Sequence, residues 1–380
     1  MKNYFGVVAG LLLLGFGLAA NAADNLVLVT LDGLRWQELF RGYDEALLND
    51  ENYTEQAEAL AARFGGASNS VRREKLMPFI WQQVAANGVL VGNRDAGSAM
   101  AVTNPWWFSY PGYNEILTGL ADPGIDSNAA TPNPNVTFLE WLNQQPGYNN
   151  SVAAFGSWDV FPAILNVGRS RLPVNAGFMP AAWPELSERA EALNELQAQT
   201  PSPWHNVRLD AFTMGFAKEY LLAKQPKVLF VSLGETDDFA HDKEYHQYLN
   251  SAHRADTLIA DLWQTLQSLP GYRNNTNLII SVDHGRGYTP SGWPHHASAR
   301  AATTMFKGVD EFKAGIVGSD QIWLAAIGPD IKALGELHNS PAYFQNQIAA
   351  TALRLLEQNP EQFNPAIGKP LTALVAVGAD

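Results

Sequence analysis

The fold class this sequence predicts is α/β, with a doubly wound, mostly parallel central sheet and helices on both faces. Three observations predict it. Short β-type apolar runs alternate with helical periodicity along the whole chain, as in strands joined by crossover helices. Several of these runs stop on acidic residues, at the strand end where an α/β sheet presents its ligand-binding loops. No internal repeat or low-complexity linker interrupts the pattern. With 380 residues, 46% of them hydrophobic and 17% charged, the chain can build one large domain with insertions, and disorder is excluded.

The first element lies outside that domain. Met1-Lys2-Asn3, an apolar run from Phe5 to Ala20 and then Ala20-Asn21-Ala22 match a basic start, a hydrophobic stretch and a small-x-small site. They read as a signal peptide over 1–22, cleaved after Ala22. The run is short for a membrane span and ends on small residues, so no stable membrane anchor is expected. The chain has no cysteine, which rules out disulfides, thiolate ligands and lipidation at cysteine. Such an exported chain fits a bacterial periplasm, with secretion as the alternative. A net charge of −13 repels polyanions, so a nucleic acid polymer is not an expected partner, and a small anionic substrate would need a bound cation. The oligomeric state is not legible.

From residue 23 to 380 the elements follow in order. The strand Asn25–Leu31 ends at Asp32-Gly33, and Leu34–Phe40 has helical spacing. Residues 44–72 leave the core as a polar, alanine-rich insertion. An amphipathic helix over Glu74–Asn87 leads to a strand at Gly88–Gly92. The segment 104–119 surrounds Ser109 with Trp106, Trp107, Phe108, Tyr110 and Tyr113, and Pro111-Gly112 marks a helix start with free backbone N–H groups. A helix at Val136–Gln144 and a strand at Ser151–Phe155 precede a second insertion, 170–205, containing a helix at Glu185–Gln199. A helix at Asp210–Lys224 feeds the strand Lys227–Leu233, which runs into Asp237-Asp238-Phe239-Ala240-His241. The long helix Tyr245–Leu266 carries His246 and His253, expected in solvent. The strand at 277–282 stops at Asp283-His284-Gly285-Arg286-Gly287. Trp293-Pro294-His295-His296, a third insertion at 297–317, a strand at 322–329, a helix near Gln345–Glu357 and an edge strand at Leu371–Val377 complete the chain.

The polar strand ends form one constellation: Asp32, Asp237 with His241, Asp283 with His284, and His296. Three carboxylates and three imidazoles are enough for two N/O-ligated divalent metal ions with open positions. Mixed His/Asp ligation without thiolate suits Zn2+, with Mn2+ as runner-up. Spacing prefers His296 to His295 and Asp237 to Asp238.

With Ser109, the order of these groups resembles the alkaline phosphatase superfamily, closest to its type I phosphodiesterase/nucleotide pyrophosphatase and phosphoglycerate-mutase-like branches, over most of residues 25–330. The resemblance implies an alkaline-phosphatase-like fold with inserted cap or rim segments. It places one metal on Asp32, Asp283 and His284, and the other on Asp237, His241 and His296. Ser109-Tyr110-Pro111, with Thr118-Gly119, is similar to the nucleophile segment, and Asn128 falls near an asparagine that contacts the transferred group. The chain also departs from the pattern: serine stands for the commoner threonine, Gly112-Tyr113 for Asn-His, and Ala297 for glycine.

The implied reaction is hydrolysis of a small anionic ester through a phosphoseryl intermediate, with backbone N–H groups after Ser109 and the Asn128 amide holding the non-bridging oxygens. Arg286 is a candidate substrate clamp, or else a structural ion pair. No lysine or arginine lies between Arg94 and Arg169, which favours phosphodiester over phosphomonoester. Sulfatase-like and phosphomutase-like activities, and an inactive periplasmic binding protein of this fold, are the alternatives.

Overall fold

The computed structural model describes residues 22–376, so all but the last residue of the expected signal peptide falls outside the described residues. An eight-stranded sheet dominates: β1 (Asn25–Leu31), β2 (Gly88–Val91), β3 (Val152–Gly156), β4 (Val174–Ala176), β5 (Val228–Leu233), β6 (Thr276–Ser281), β7 (Leu324–Ile327) and β8 (Gly335–Glu336). Their spatial order is β8-β2-β7-β6-β1-β5-β3-β4. Only β7 runs against its neighbours. Every residue of β1, β5 and β6 is buried, which is why the middle of each run is apolar: a central parallel strand is covered on both faces.

Seven helices matter for the site: α1 (Trp36–Arg41), α2 (Ser109–Thr118), α3 (Glu188–Gln199), α4 (Asp210–Lys224), α5 (Glu235–His241), α6 (Tyr245–Ser268) and α7 (Ala299–Met305). Helix α4 packs on β5 and β3, and α3 packs on α4.

Four expectations need correction. The helix expected at Glu74–Asn87 is broken into Asn69–Leu76, a π-helical turn Ile80–Val84 and a last turn Ala85–Asn87. Pro78 disfavours helical dihedrals at Met77, which sits at φ −130° and ψ 69°. The N–H groups of Phe79 and Ile80 donate instead to the buried Asp256 carboxylate, at 2.8 and 3.0 Å. The strand expected at 322–329 is interrupted at Trp323, whose indole N–H donates to the Leu34 carbonyl at 2.9 Å. Gln321–Ile322 joins a small sheet with Met100–Ala101 and Tyr343–Phe344. Leu371–Val377 reduces, among the described residues, to one bridge between Ile331 and Val375. His246 and His253 are both half-buried, His253 with Nδ1 2.8 Å from the Leu76 carbonyl.

The three insertions each touch the strand-end side of the sheet. Ser298 N donates to the Trp106 carbonyl at 3.0 Å, just before Ser109. Trp204 packs edge-on against Phe239 of α5 at 4.7 Å. Tyr53 meets Trp293 at 5.8 Å.

Candidate metal centre and nucleophile

Strands β6, β1 and β5 lie side by side, with Thr30 opposite Ser281 and Leu31 opposite Leu233. Because the three strands are in register, their carboxyl ends bring Asp32, the α5 segment and Asp283-His284 to one place. Gly33, at φ +59°, turns the chain there. A Cβ at this position would lie 2.9 Å from both Arg286 Nε and Asp237 Oδ1, so only glycine admits the crowding.

His284 is the centre of the cluster. Its Nδ1 is 2.9 Å from the Gly285 carbonyl, a contact that needs a proton on Nδ1 and aims Nε2 inward. Nε2 lies 3.4 Å from Asp32 Oδ1, 3.4 Å from Asp283 Oδ2 and 3.7 Å from Asp237 Oδ1. The two carboxylates are built alike. Asp32 Oδ2 accepts from Tyr113 at 2.8 Å and Asp283 Oδ1 from the Gly33 N–H at 3.1 Å. The other oxygen of each, Asp32 Oδ1 and Asp283 Oδ2, is buried with no hydrogen-bond partner. A buried carboxylate oxygen left so calls for a proton or a cation. Burial, then the Asp32 charge, holds Asp283 well above the usual carboxylate range. Burial alone would lower His284, but Asp283 and Asp32 outweigh it and raise it to about 9. Asp32, Asp283 and His284 thus converge as a ligand set that suits a divalent cation.

A second set shares His284 and adds Asp237 and His296. His296 Nε2 lies 3.6 Å from Asp237 Oδ1, and its ring stacks on His284 at 3.8 Å. His241 stands beside this set, with Nε2 3.2 Å from Asp237 Oδ2 and 3.0 Å from His296 Nε2. Its side chain is 39% exposed. His295 does not enter either set, and its ring lies against Phe306 and Phe312 at 5.1 and 5.5 Å. Asp238 is also outside both, and burial followed by the Asp237 charge pushes it up to about 9.

Arg286 differs from the substrate clamp considered above. It is fully buried. Its guanidinium pairs with Asp237 Oδ1 and donates to the Asp237 carbonyl at 3.0 Å and the Trp293 carbonyl at 3.2 Å. The side chain is committed to a carboxylate of the site, leaving none of it facing solvent. Burial would raise Asp237, yet Arg286 first, then His241, holds it well below the usual range.

Ser109 opens α2 and is buried, with Oγ 3.4 Å from His284 Nε2. Gly112 lets this helix meet the Asp283 backbone, since a Cβ there would lie 2.4 Å from the Asp283 carbonyl oxygen. Asn128 sits on an exposed loop. Its Oδ1 accepts from the Tyr110 N–H at 2.9 Å, so two groups expected to hold substrate oxygens side by side are bonded to each other. What Asn128 offers a ligand is its NH2.

Three residues have roles in the site that the sequence did not assign. Tyr113, one turn after Ser109, accepts from Ser232 Oγ at 2.9 Å while donating to Asp32. Glu115 is buried and accepts from the N–H groups of Thr103 and Asn104 at 2.9 and 2.8 Å. It anchors the turn in which Trp107 sits at φ +61°. Gln345 donates to the Val282 and Asp283 carbonyls at 3.0 and 2.7 Å. For Glu115 the available signal was a lone carboxylate on an otherwise uncharged helix.

The profile of the family described as type I phosphodiesterase / nucleotide pyrophosphatase matches residues 92–307. No curated protein matches the sequence. Among solved structures, wild-type alkaline phosphatase PafA superposes with a TM-score of 0.58 and 14% identity, covering 94% of this chain and 100% of its own. The phosphonate monoester hydrolase SpPMH from Silicibacter pomeroyi reaches 0.52 at 14% identity, over 94% and 77%. The lipoteichoic acid synthase LtaP from Listeria monocytogenes reaches 0.52 at 12%, over 89% and 73%. At such identities the likeness is one of fold.

Proposed function

The chain belongs to the type I phosphodiesterase / nucleotide pyrophosphatase family of the alkaline phosphatase superfamily, a phosphoric ester hydrolase, and from that premise we propose that it hydrolyses phosphodiesters through a covalent intermediate on Ser109. The observation that carries this reading is the convergence of the free oxygens of Asp32 and Asp283 and of Ser109 Oγ on His284 Nε2, each at 3.4 Å. Two divalent cations, zinc before manganese, would be held by Asp32, Asp283 and His284 and by Asp237, His296 and His241. When bound, they would supply Lewis-acid stabilisation of the phosphoryl oxygens and lower the pKa of the attacking and leaving oxygens.

Ser109 Oγ loses its proton and attacks phosphorus, the bond to the leaving alcohol breaks, and a phosphoseryl ester remains for water to hydrolyse. Ser109 is free for that role. Thr103 Oγ1, the nearest hydroxyl before it in the sequence, is bonded to Glu115 at 2.7 Å. Asn128 NH2 donates to a non-bridging oxygen. The diester preference is supported by how the two candidate arginines, Arg286 and Arg169, are engaged. Arg286 is tied to Asp237, and the Arg169 guanidinium to Glu140 and to the carbonyls of Asn133, Pro134 and Asn135. Neither arginine is directed at the second charge of a monoester. The three insertions form the rim, and the enzyme works in the periplasm on a small anionic ester.

The test is a panel of p-nitrophenyl phosphate, its methyl and phenyl diesters and p-nitrophenyl sulfate, each assayed with zinc and with EDTA. Higher kcat/KM on the diesters is expected. A monoester advantage of about tenfold would overturn the preference. Ser109→Ala is expected to cost about three or more orders of magnitude in turnover with metal content unchanged, and retention of about a tenth of the activity would place the nucleophile elsewhere.

A further inference from the structure

A cavity of about 300 Å3 opens beside the nucleophile. Trp106 and Phe108, from the segment just before Ser109, form one wall, with ring centroids 6.3 Å apart. Ala301, Thr304 and Met305 of α7 and the loop residue Asn128 also line it, with Ala301 packed in the same apolar cluster as Trp106 and Phe108. Met305 is a large apolar side chain left 45% exposed.

The charges around the cavity restrict what it can take. Its one ionisable lining residue is Asp126, offset by the Arg300 guanidinium over the Trp106 ring, so no net charge invites a second anionic group. Nor is it a cage for a cationic head group, because the Trp106 face is already occupied by the Arg300 guanidinium at 4.3 Å. The volume is at the small end of ligand pockets, enough for one ring and too small for a nucleoside carrying further phosphates. We infer that this cavity is the subsite for an uncharged, ring-sized apolar substituent of the ester, an inference that rests on Ser109 being the nucleophile. Helix α7 follows directly from the loop bearing His296, so one continuous stretch of chain would supply both a cation ligand and the specificity wall.

Phosphonates carry a single substituent, so the occupant of the cavity is unambiguous. Inhibition by methyl-, phenyl- and 2-carboxyethylphosphonate is measured on the metal-loaded protein, against whichever p-nitrophenyl ester it hydrolyses. Phenylphosphonate is expected to bind about tenfold or more tighter than methylphosphonate, and carboxyethylphosphonate no tighter than methyl. Thr304→Trp, an exposed position, fills the cavity and brings the phenyl-to-methyl ratio to about one, with methylphosphonate changed by less than about twofold. Met305→Ala removes part of the wall and lowers the ratio by about threefold. Equal constants for phenyl and methyl in an active wild type, a ratio kept in both variants, or tighter binding of the carboxylate would each overturn the subsite alone. A wild-type protein that hydrolyses no ester and binds no phosphonate would overturn the proposed function, and the subsite with it.

Discussion

The two ligand sets share His284 and differ in how their carboxylates are balanced. Asp32 and Asp283 are buried and faced by neutral donors, the Tyr113 hydroxyl and the Gly33 N–H, with one oxygen of each left free. Asp237 already has the buried Arg286 as partner, and its end of the site opens to solvent at His241. The first set can be balanced only by protons or a cation, whereas the second is partly balanced by the chain itself. The first is therefore expected to bind its cation tightly, and the second more weakly and exchangeably.

The two sets should separate most clearly when one ligand is removed from each. Asp283→Asn should abolish cation binding at the first set and lower turnover by about three orders of magnitude or more, since a carboxylate ligand and the placement of Ser109 go together. His241→Asn should lower affinity at the second set by about 10–100-fold and leave the first untouched. Elemental analysis and chelator titration measure both, and equal losses would erase the distinction.

Arg286→Met addresses the internal cation. It leaves Asp237 charged without its partner, so the metal-free protein should lose about 3 kcal/mol in denaturant unfolding. Zinc should restore more stability to this variant than it adds to the wild type, because an unneutralised Asp237 is the better ligand. A variant as stable as wild type without metal would show that Arg286 does not balance the second set.

Tyr113→Phe is a smaller change, confined to the first set. It deletes the hydroxyl that holds Asp32 Oδ2 while keeping the ring on Phe161, 4.8 Å away. Affinity at the first set should fall by about tenfold, with the melting temperature of the metal-free form almost unchanged. Loss of melting temperature without loss of metal affinity would make Tyr113 a packing residue only.

What the sequence made legible follows from chain order and periodicity. Strands β1, β5 and β6 were readable as apolar runs, and Asp32, Asp237 and Asp283 stand just past their ends because parallel strands in register bring their ends level. Interactions set by three-dimensional approach were not readable. The partner of Arg286 lies in α5, which the sheet order alone brings alongside. The role of Tyr113 depends on α2 coming close enough for Gly112 to touch Asp283. The π-helical turn at Ile80 depends on Asp256, far along the chain. Asn128 was located by resemblance, yet which of its atoms faces a ligand depended on the Tyr110 N–H.

The smallest expected effect is a pH dependence, which separates the two sets by the protons they carry. Without metal, His284 is raised to about 9 and Asp283 lies well above its usual range, so the first set is protonated at neutral pH. Asp237 and His296, the members of the second set that the first does not share, are both held well below their ordinary values, so neither has a proton to lose there. A group whose pKa is raised by folding adds stability that is complete below its unfolded value and disappears as pH rises through its folded value. For His284 that window runs from its ordinary 6.5 to about 9, and Asp283 acts in the same direction. The melting temperature of the chelator-treated protein should therefore fall by about 2–4 °C between pH 6.5 and 9.5. Saturation with zinc should flatten that decline, because the cation takes the place of the protons. For the same reason, calorimetric titrations in buffers of different ionisation enthalpy should show proton release on filling the first set and little on filling the second. A melting temperature that rises over this window, or proton release only at the second set, would mean that the charge balance of the two sets is the reverse of that described.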